Sequence, residues 1–410
     1  MKTIKFYTLG CKVNQYDTQS LREDFLRRGF KEFANGKAAD IYVINTCTVT
    51  ARADSESLGF VRKARRENPA ARIIVTGCLA ELDARKIEQV DKNSLIVRNR
   101  DKESIIQRLT TNDQRLTTNG ISHFKGHTRA FLKIQDGCDN FCSYCKVPLV
   151  RGRSRSKPLM EIVSEARDLV KSGFKEIVLT GICLGSYGKD LKPEIGLVNL
   201  IEELEKIGQL LRIRLSSIEA ADISEALILK LSRSKKLCRH LHIPIQSGDD
   251  NVLKDMHRRY TRADYLNLIK KIKRKIPGVA ITTDVLVGFP GELQGNFENT
   301  MDLVKKIMPL KVHIFPYSRR EGTFAAQDRN KEVPVHMIRE RLLTLKKLAD
   351  TCAMDYKKQF LGKKMEVLFE EGCKDSPGWW QGHTDNYILV RFRSGRNLKN
   401  RLIKVPVDFR

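Results

Sequence analysis

Three cysteines lie close together in the stretch GCDNFCSYCKVP, where three and then two residues separate Cys138, Cys142 and Cys145. This spacing brings three thiolates to one point without help from distant parts of the chain. A structural zinc site needs a fourth ligand, and no further cysteine follows at the two-residue spacing typical of such sites. A cubane iron–sulfur cluster held by three cysteines instead keeps one iron open for another ligand. The pattern favours such a cluster over zinc or three ordinary core thiols.

An aromatic residue, Tyr144, directly precedes the last of these cysteines. With it, the C-x3-C-x2-C motif resembles the signature of the radical S-adenosylmethionine (SAM) enzymes. The resemblance implies that Cys138, Cys142 and Cys145 hold a catalytic [4Fe–4S] cluster whose open iron binds SAM, with Tyr144 near the SAM adenine. Taken alone, Tyr144 is equally compatible with a half-buried structural tyrosine.

Across the middle region that contains this motif, short β-branched apolar runs alternate with longer stretches of helical periodicity. The runs predict six strands, at residues 130–135, 176–180, 212–216, 240–245, 280–287 and 312–317. Such alternation predicts a parallel α/β sheet, and the resemblance implies that it curls into a partial (β/α)6 radical SAM barrel. Ligands bind beyond the carboxyl ends of parallel strands, although glycines there also form ordinary turns. The candidate SAM or substrate contacts are Thr180, Gly181, Ser216, Gln246 and Gly288.

The first hundred residues contain three more cysteines. Strands at 4–9, 40–45 and 72–76 alternate with helices, one of them at 17–28, which predicts a doubly wound α/β domain. Cys11, Cys47 and Cys78 each follow one of these strands. Because the carboxyl ends of parallel strands share one edge of a sheet, we expect the three cysteines to converge on a second cluster. Helices that begin soon afterwards point their positive dipole ends at this edge, which favours thiolates. Three separate core thiols are the alternative.

Two three-cysteine sites in one chain resemble the radical SAM methylthiotransferases. The resemblance extends over nearly the whole chain, from LGCKVNQYDT through IQDGCDNFCSYC, SGDDNVLKDMHRRYT and TTDVLVGFPGE to FPYSRREGT. It implies that Cys11, Cys47 and Cys78 hold an auxiliary [4Fe–4S] cluster that holds or donates the sulfur, and that a second SAM supplies the methyl group. The stretch LTGICLGSYG is most similar to the branch that acts on threonylcarbamoyladenosine at tRNA position 37. Cys183 in this stretch departs from the family pattern, and we interpret it as an inert thiol.

The resemblance also implies partners. They are the anticodon loop of tRNA, a low-potential electron donor such as flavodoxin or ferredoxin, and a source of sulfur. Two sister targets share the chemistry, namely isopentenyladenosine at the same tRNA position and an aspartate of a ribosomal protein. An iron–sulfur RNA-binding redox sensor is the non-enzymatic alternative.

The tail of the chain predicts a third unit. A helix at 338–355 precedes strand-like runs at 365–370, 387–392 and 402–407, which suggests a small β-barrel that resembles the RNA-binding TRAM domain. We expect Trp379 and Trp380 in a loop between strands, where a ring can stack on a base. The alternative is a solvated basic face with both tryptophans packed at a domain junction. Six basic residues crowd the last two predicted strands: Arg391, Arg393, Arg396, Lys399, Arg401 and Lys404.

The net charge of +26, from 75 Lys and Arg against 49 Asp and Glu, favours a polyanionic partner such as nucleic acid and disfavours a protein target. Basic stretches at 151–157 and 258–275 could extend a phosphate-binding track, although the second is better explained as the wet face of a helix. We find no apolar stretch of membrane-spanning length and no secretory signal at the start, so we expect a cytoplasmic protein without membrane contact.

These patterns predict three domains and one linker. The methylthiotransferase domain covers residues 1–105, the radical SAM domain 124–356 and the TRAM-like barrel 357–410. The linker at 106–123 contains the hexapeptide QRLTTN twice, at 107–112 and again at 114–119.

Overall fold

A computed structural model describes residues 2–33, 37–109, 120–327 and 331–408 of the chain. Most of the repeated QRLTTN segment lies outside these residues, so the linker stays a prediction. Among the described helices, none combines the length and the apolar character needed to cross a bilayer.

The N-terminal part is a parallel sheet with helices on both faces. Its strand order, β2-β1-β3-β4-β5, confirms the doubly wound prediction. The central strand, IYVINT, is buried along its whole length, as expected for a strand covered on both sides. The elements are β1 (Thr3–Thr8), α1 (Lys12–Arg27), β2 (Lys31–Glu32), β3 (Ile41–Thr46), α2 (Ala51–Glu67), β4 (Arg72–Gly77), α3 (Cys78–Leu82), α4 (Ala84–Glu88) and β5 (Leu95–Ile96).

The first helix begins at Lys12, five positions before the start predicted at residue 17. Asn14, Asp17 and Thr18 are buried polar residues in its first two turns, and they conceal the helical pattern of apolar positions. Asn14 donates hydrogen bonds to the carbonyl oxygens of Leu9 and Thr46 at 2.8 and 3.0 Å. The longer helix makes Cys11 its N-cap residue.

The central part alternates strands and helices as predicted. Two three-stranded parallel sheets, β6-β9-β10 and β11-β12-β13, are joined by a parallel bridge between Ser217 and His242, so the strands follow chain order. The elements are β6 (Arg129–Lys133), β7 (Gln135–Asp136), α5 (Val147–Arg151), β8 (Arg155–Ser156), α6 (Leu159–Lys171), β9 (Glu176–Thr180), α7 (Leu197–Glu205), β10 (Arg212–Leu215), α8 (Glu225–Arg233), β11 (His240–His242), α9 (Asp250–Asp255), α10 (Arg262–Lys275), β12 (Ala280–Val287), α11 (Gln294–Ile307) and β13 (Lys311–Pro316).

Helix α1 packs against β6 and thereby covers the open edge of the central sheet. A buried carboxylate on this helix, Asp17, joins the two domains. Its oxygens lie 2.6 Å from Lys102 Nζ and 2.5 Å from Lys133 Nζ, and Arg151 lies 3.6 Å away. Burial acts to raise the pKa of Asp17, but these three cations hold it well below its usual range. The N-terminal domain therefore docks through an ionic contact that excludes water.

The C-terminal part is a four-stranded antiparallel sheet of order β16-β15-β14-β17, curled as a half-barrel around Val367, Phe369 and Val390. The long helix that precedes it continues through the expected boundary at residue 357. The elements are α12 (Val335–Lys358), β14 (Lys364–Gly372), β15 (Trp379–Thr384), β16 (Leu389–Arg393) and β17 (Leu402–Pro406).

Trp379 and Trp380 begin strand β15, so their expected position in a loop is wrong. Trp379 pairs with Arg393 and Trp380 with Phe392 on β16. The Trp380 ring packs against the core of the half-barrel, whereas Trp379 is 37% exposed. Only the first of the two rings is available to a base.

A turn of the half-barrel closes the amino-terminal end of the central barrel. Arg214 of β10 donates hydrogen bonds to the carbonyl oxygens of Thr384 and Asp385 at 3.2 and 2.9 Å. The ring of Tyr387 stacks on His240 of β11 with 4.5 Å between centroids. The described residues of the half-barrel do not cover the opposite end of the central barrel, where the strands have their carboxyl ends and where ligands bind.

Candidate active site between the two α/β domains

The cysteines of the N-terminal domain meet at one edge of its sheet. Cys11 caps α1, Cys47 follows β3, and Cys78 is the first residue of α3. Gly10 has a φ of +94°, and a Cβ atom there would lie 2.8 Å from Cys47 Sγ, so only glycine lets the Cys11 loop approach this closely. The three thiols line a single cavity of about 500 Å³.

Burial dominates the protonation of Cys47 and Cys78. It raises the pKa of Cys47 to about 11, and the neighbouring Cys78 and Cys11 add to the rise. The pKa of Cys78 is also raised by burial, against the lowering effect of Arg151. Burial therefore outweighs the helix dipoles that we expected to favour thiolates, and binding of iron must displace the protons.

The second trio lies on the loop between β7 and α5, where each thiol has a donor. The backbone N–H groups of Asn140 and Val147 point at Cys138 and Cys145, with N–S distances of 3.4 and 3.5 Å. Arg258 Nη1 donates to Cys142 Sγ at 3.2 Å. Such donors stabilise sulfur atoms that carry negative charge, as cluster ligands do.

Arg258 is a site residue that the sequence did not reveal. It lies in the basic stretch that we interpreted as a wet helix face or a phosphate track. Its side chain is 5% exposed and forms an ion pair with Glu219 at 2.8 Å. The stretch SGDDNVLKDMHRRYT was the only available signal, because charge patterns do not distinguish a buried arginine from a solvated one.

Arg151 likewise does not belong to a phosphate track. Its side chain is 1% exposed, lies 2.8 Å from Asp136, and donates to the side chain of Asn14. Arg151 also lines the cavity beside Cys78. In the same stretch, Arg153 remains exposed.

Most of the predicted ligand contacts line the same cavity as the first trio. Its wall includes Tyr144, Thr180, Gly181, Ser216 and Gln246 together with Cys145. The hydroxyl oxygen of Ser216 is buried and has no hydrogen-bond partner among the described residues. A polar ligand such as SAM satisfies such a group, so the wall fits the molecule that the motif implies.

Gly288 does not line this cavity. Its φ is +77°, its N–H donates to Glu292 Oε2 at 2.8 Å, and a Cβ atom there would lie 2.5 Å from Ile338 of α12. A tight turn packed against a helix explains this glycine without any ligand. Its selection as a ligand contact therefore stays a prediction.

Cys183 lies against the second trio. Its thiol hydrogen-bonds to Cys138 and lowers the pKa of that residue. Ser186 donates to Cys183 Sγ at 3.1 Å, and Asp222 lies 3.5 Å away. The neighbourhood is more polar than that of an ordinary core thiol.

Two protein families match the parts of the chain that supply the two trios. Residues 132–304 match the Radical SAM superfamily, and residues 3–98 match Uncharacterized protein family UPF0004. The threonylcarbamoyladenosine tRNA methylthiotransferase MtaB of Bacillus subtilis is 39% identical over 99% of this chain and 94% of its own length. The chain belongs to the radical SAM methylthiotransferase family. The tRNA-2-methylthio-N(6)-dimethylallyladenosine synthase of Clostridium tetani is 35% identical over 98% of this chain and 92% of its own length.

The methyltransferase TsrM of Kitasatospora setae has a similar structure, with a TM-score of 0.56 and 14% identity over 79% of this chain and 76% of TsrM. This likeness concerns the fold and confirms the radical SAM architecture. As a member of this family, the protein is an enzyme that uses SAM and [4Fe–4S] clusters. Two sets of three thiols, together with a cavity whose wall carries the Ser216 hydroxyl group, unpaired among the described residues, suit these cofactors chemically.

Proposed function

We propose that this enzyme methylthiolates C2 of threonylcarbamoyladenosine at position 37 of tRNA. The observation that carries the proposal is the single cavity whose wall contains the trio Cys11, Cys47 and Cys78 together with Cys145 of the second trio. A base bound there faces both cluster sites at once. The MtaB relatives favour the threonylcarbamoyl group as its N6 substituent.

Each trio has a separate role in the proposal. Cys138, Cys142 and Cys145 hold the cluster that binds SAM, and Cys11, Cys47 and Cys78 hold the auxiliary cluster. Bound SAM and the two clusters supply the radical and the sulfur, which the acid–base chemistry of side chains cannot provide at an unactivated C–H bond. The protein orients the base and excludes water.

The contacts around the trios have positioning roles in the proposal. Arg258 offsets negative charge at Cys142 by the hydrogen bond described above. Tyr144, Thr180, Gly181 and Ser216 contact SAM or the base from the cavity wall. Gln246 does the same from a strand end where its φ of 62° is unusual for a residue with a side chain.

The half-barrel supplies the RNA contacts. Exposed basic residues lie on its two edge strands, β16 and β17, and on the segment between them, and we assign them to one RNA-binding face. Trp379 is exposed at the start of β15. Neutralising phosphates with such a face releases counterions and makes binding depend on salt. The face consists of Arg391, Arg393, Arg396, Lys399, Arg401 and Lys404.

The proposed reaction also requires a cellular location, a source of electrons and a source of sulfur. The enzyme acts in the cytoplasm on the anticodon loop, and receives electrons from a low-potential donor such as flavodoxin or ferredoxin. A separate source replenishes its sulfur.

Nucleoside mass spectrometry of tRNA from a deletion strain tests the target base. We expect 2-methylthio-threonylcarbamoyladenosine to disappear, and to return with the wild-type gene but not with Cys78→Ala or Cys142→Ala. Cys352→Ala is the matched control, because this buried thiol lies on α12 away from both trios. An unchanged level of the nucleoside in the deletion strain refutes the proposal.

Iron analysis of the anaerobically reconstituted protein tests the two sites separately. We expect about eight irons in the wild type and in Cys352→Ala, and about four in either Cys11→Ala or Cys142→Ala. Full iron content in Cys11→Ala contradicts an auxiliary cluster at the first trio.

The second candidate target is dimethylallyladenosine at the same position. It is favoured by relatives such as that of Clostridium tetani, which match over almost the whole chain. Loss of the methylthio form of that nucleoside alone in the deletion strain establishes this alternative.

A further inference from the structure

A polar group of side chains lies on the inner surface of the central barrel, next to the active cavity. His242, Asp284 and His313 belong to the adjacent strands β11, β12 and β13, and one ligand atom from each lies within 4.8 Å of the others. His242 Nδ1 is 2.9 Å from Thr282 Oγ1, and its Nε2 is 3.2 Å from Asp284 Oδ2. Both ring nitrogens of His242 are therefore engaged, and Asp284 is held toward the cavity that it lines.

Lys12 enters the same cavity from the opposite wall, at the first turn of α1. No carboxylate among the described residues lies within ion-pairing distance of its ammonium group. The neighbouring lysines differ, because Lys102 and Lys133 both bind Asp17. A lysine that lines a cavity without a partner has a charge to offer to an anionic ligand.

His313, on the neighbouring strand β13, has a ring nitrogen within 4.8 Å of the Asp284 carboxylate and adds a second kind of polar group beside the cavity. Burial lowers its pKa most strongly, Lys311 and Lys12 act in the same direction, and the Asp284 carboxylate opposes them. A neutral imidazole donates one hydrogen bond and accepts another, whereas Asp284 only accepts. The cavity thus has a cation, Lys12, on one side and an acceptor, Asp284, on the other, and the His313 ring beside Asp284 can donate or accept.

The same wall is a poor site for a metal ion. The positive charge of Lys12, which lies near enough to His313 to lower its pKa, disfavours a divalent cation at this group. An apolar substituent would leave these polar groups desolvated and without hydrogen-bond partners. Such a loss of hydrogen bonds weakens binding strongly. A ligand with a carboxylate and hydrogen-bond donors matches all of them.

We propose that Lys12, Asp284 and His313 form the subsite for the N6 substituent of the target adenosine, with Lys12 binding its carboxylate. The inference rests on the proposed function, since it assumes that an adenosine occupies the cavity. It makes this wall the part of the enzyme that distinguishes an N6-linked amino acid from a dimethylallyl group. Asp284 and His313 bind the hydroxyl and N–H groups of the same substituent.

Binding of anticodon stem-loop RNAs to the reconstituted holoenzyme, followed by fluorescence anisotropy, tests the subsite. The RNAs carry threonylcarbamoyladenosine, its methyl ester, dimethylallyladenosine or adenosine. We expect the wild type to bind the free acid about tenfold more tightly than the ester, because esterification removes the charge that Lys12 binds. In Lys12→Met the two RNAs should bind equally, and Lys12→Arg should restore most of the preference.

The outcomes separate this inference from the proposed function. If the wild type prefers the threonylcarbamoyl RNA but binds acid and ester equally, the carboxylate subsite is wrong and the proposed function stands. If it prefers the dimethylallyl RNA, the proposed function fails as well. An acid preference that survives in Lys12→Met refutes the role of Lys12. Stoichiometric binding of Co²⁺ that His313→Phe abolishes assigns the wall to a metal instead.

Discussion

The buried carboxylate of Asp17 offers the sharpest test of how the two α/β domains are held together. Asp17→Asn keeps the shape of the side chain but removes its charge. Three cations face it: Lys102, Lys133 and Arg151. In the variant they would lie together without this negative charge, at a place where the Asp17 side chain is only 1% exposed. Removing one partner of a buried ionic network leaves uncompensated charge in a poorly solvated place.

We expect Asp17→Asn to lower the free energy of unfolding by about 3–5 kcal/mol, the range for a broken buried pair. The matched control is Asp168→Asn, which removes a surface pair with Lys171 in which the side chains are 47% and 76% exposed. That change should cost less than about 1 kcal/mol.

The pH dependence follows from the lowered pKa of Asp17. A carboxyl group whose pKa is depressed in the folded state contributes stability above its unfolded pKa of about 3.9, and loses this contribution as the pH falls toward the folded value. The difference between the wild type and Asp17→Asn should therefore be constant from about pH 5 to 8 and diminish below about pH 4.

Anaerobic urea denaturation of the reconstituted enzyme, followed by circular dichroism, measures these differences. A loss for Asp17→Asn no larger than that for Asp168→Asn would refute the reasoning. A difference between Asp17→Asn and the wild type that grows as the pH falls would contradict the sign of the pKa shift.

Two further predictions concern the active site and the RNA face. Arg258→Met should slow formation of 5′-deoxyadenosine from SAM by about 10- to 100-fold and lower the potential of the adjacent cluster, since a donor to Cys142 is lost. Equal effects in the exposed neighbour variant Arg259→Met would contradict this role. Trp379→Ala should weaken binding of anticodon stem-loop RNA by about 1–3 kcal/mol at constant stability. Trp380→Ala should instead destabilise the half-barrel, and unchanged RNA affinity in Trp379→Ala would remove the stacking role.

The position of Cys11, Cys47 and Cys78 relative to the strands could be predicted because it depends on local patterns. Apolar runs mark the strands, and parallel strands present their carboxyl ends at one edge. That logic placed Cys47 and Cys78 directly after β3 and β4, where the structure has them. The convergence on one cavity with Cys145 depends on how two domains dock, and no local pattern contains that information.

The sequence did not predict strand β15, because this strand contains Gly382. The reason for a glycine at this position lies in the neighbouring strand. A Cβ atom at Gly382 would lie 2.1 Å from the carbonyl oxygen of Leu368 on β14, next to a bulge between Phe369 and Glu371. The glycine allows the two strands to approach and interrupts the apolar alternation that predicts a strand. The buried roles of Arg151 and Arg258 were missed for a similar reason, since their partners lie far away in the sequence.

The turn that carries Tyr387 couples the tail of the protein to the catalytic core. Removal of residues 357–410 would expose Arg214 and Glu176 to water and leave His240 without its stacked ring. A shortened chain would thus lose activity because its central barrel is less tightly packed, whether or not the half-barrel binds RNA. Loss of activity after deletion therefore does not identify the function of this domain. In the intact enzyme, Tyr387 thus packs at one end of strands whose opposite ends line the active cavity.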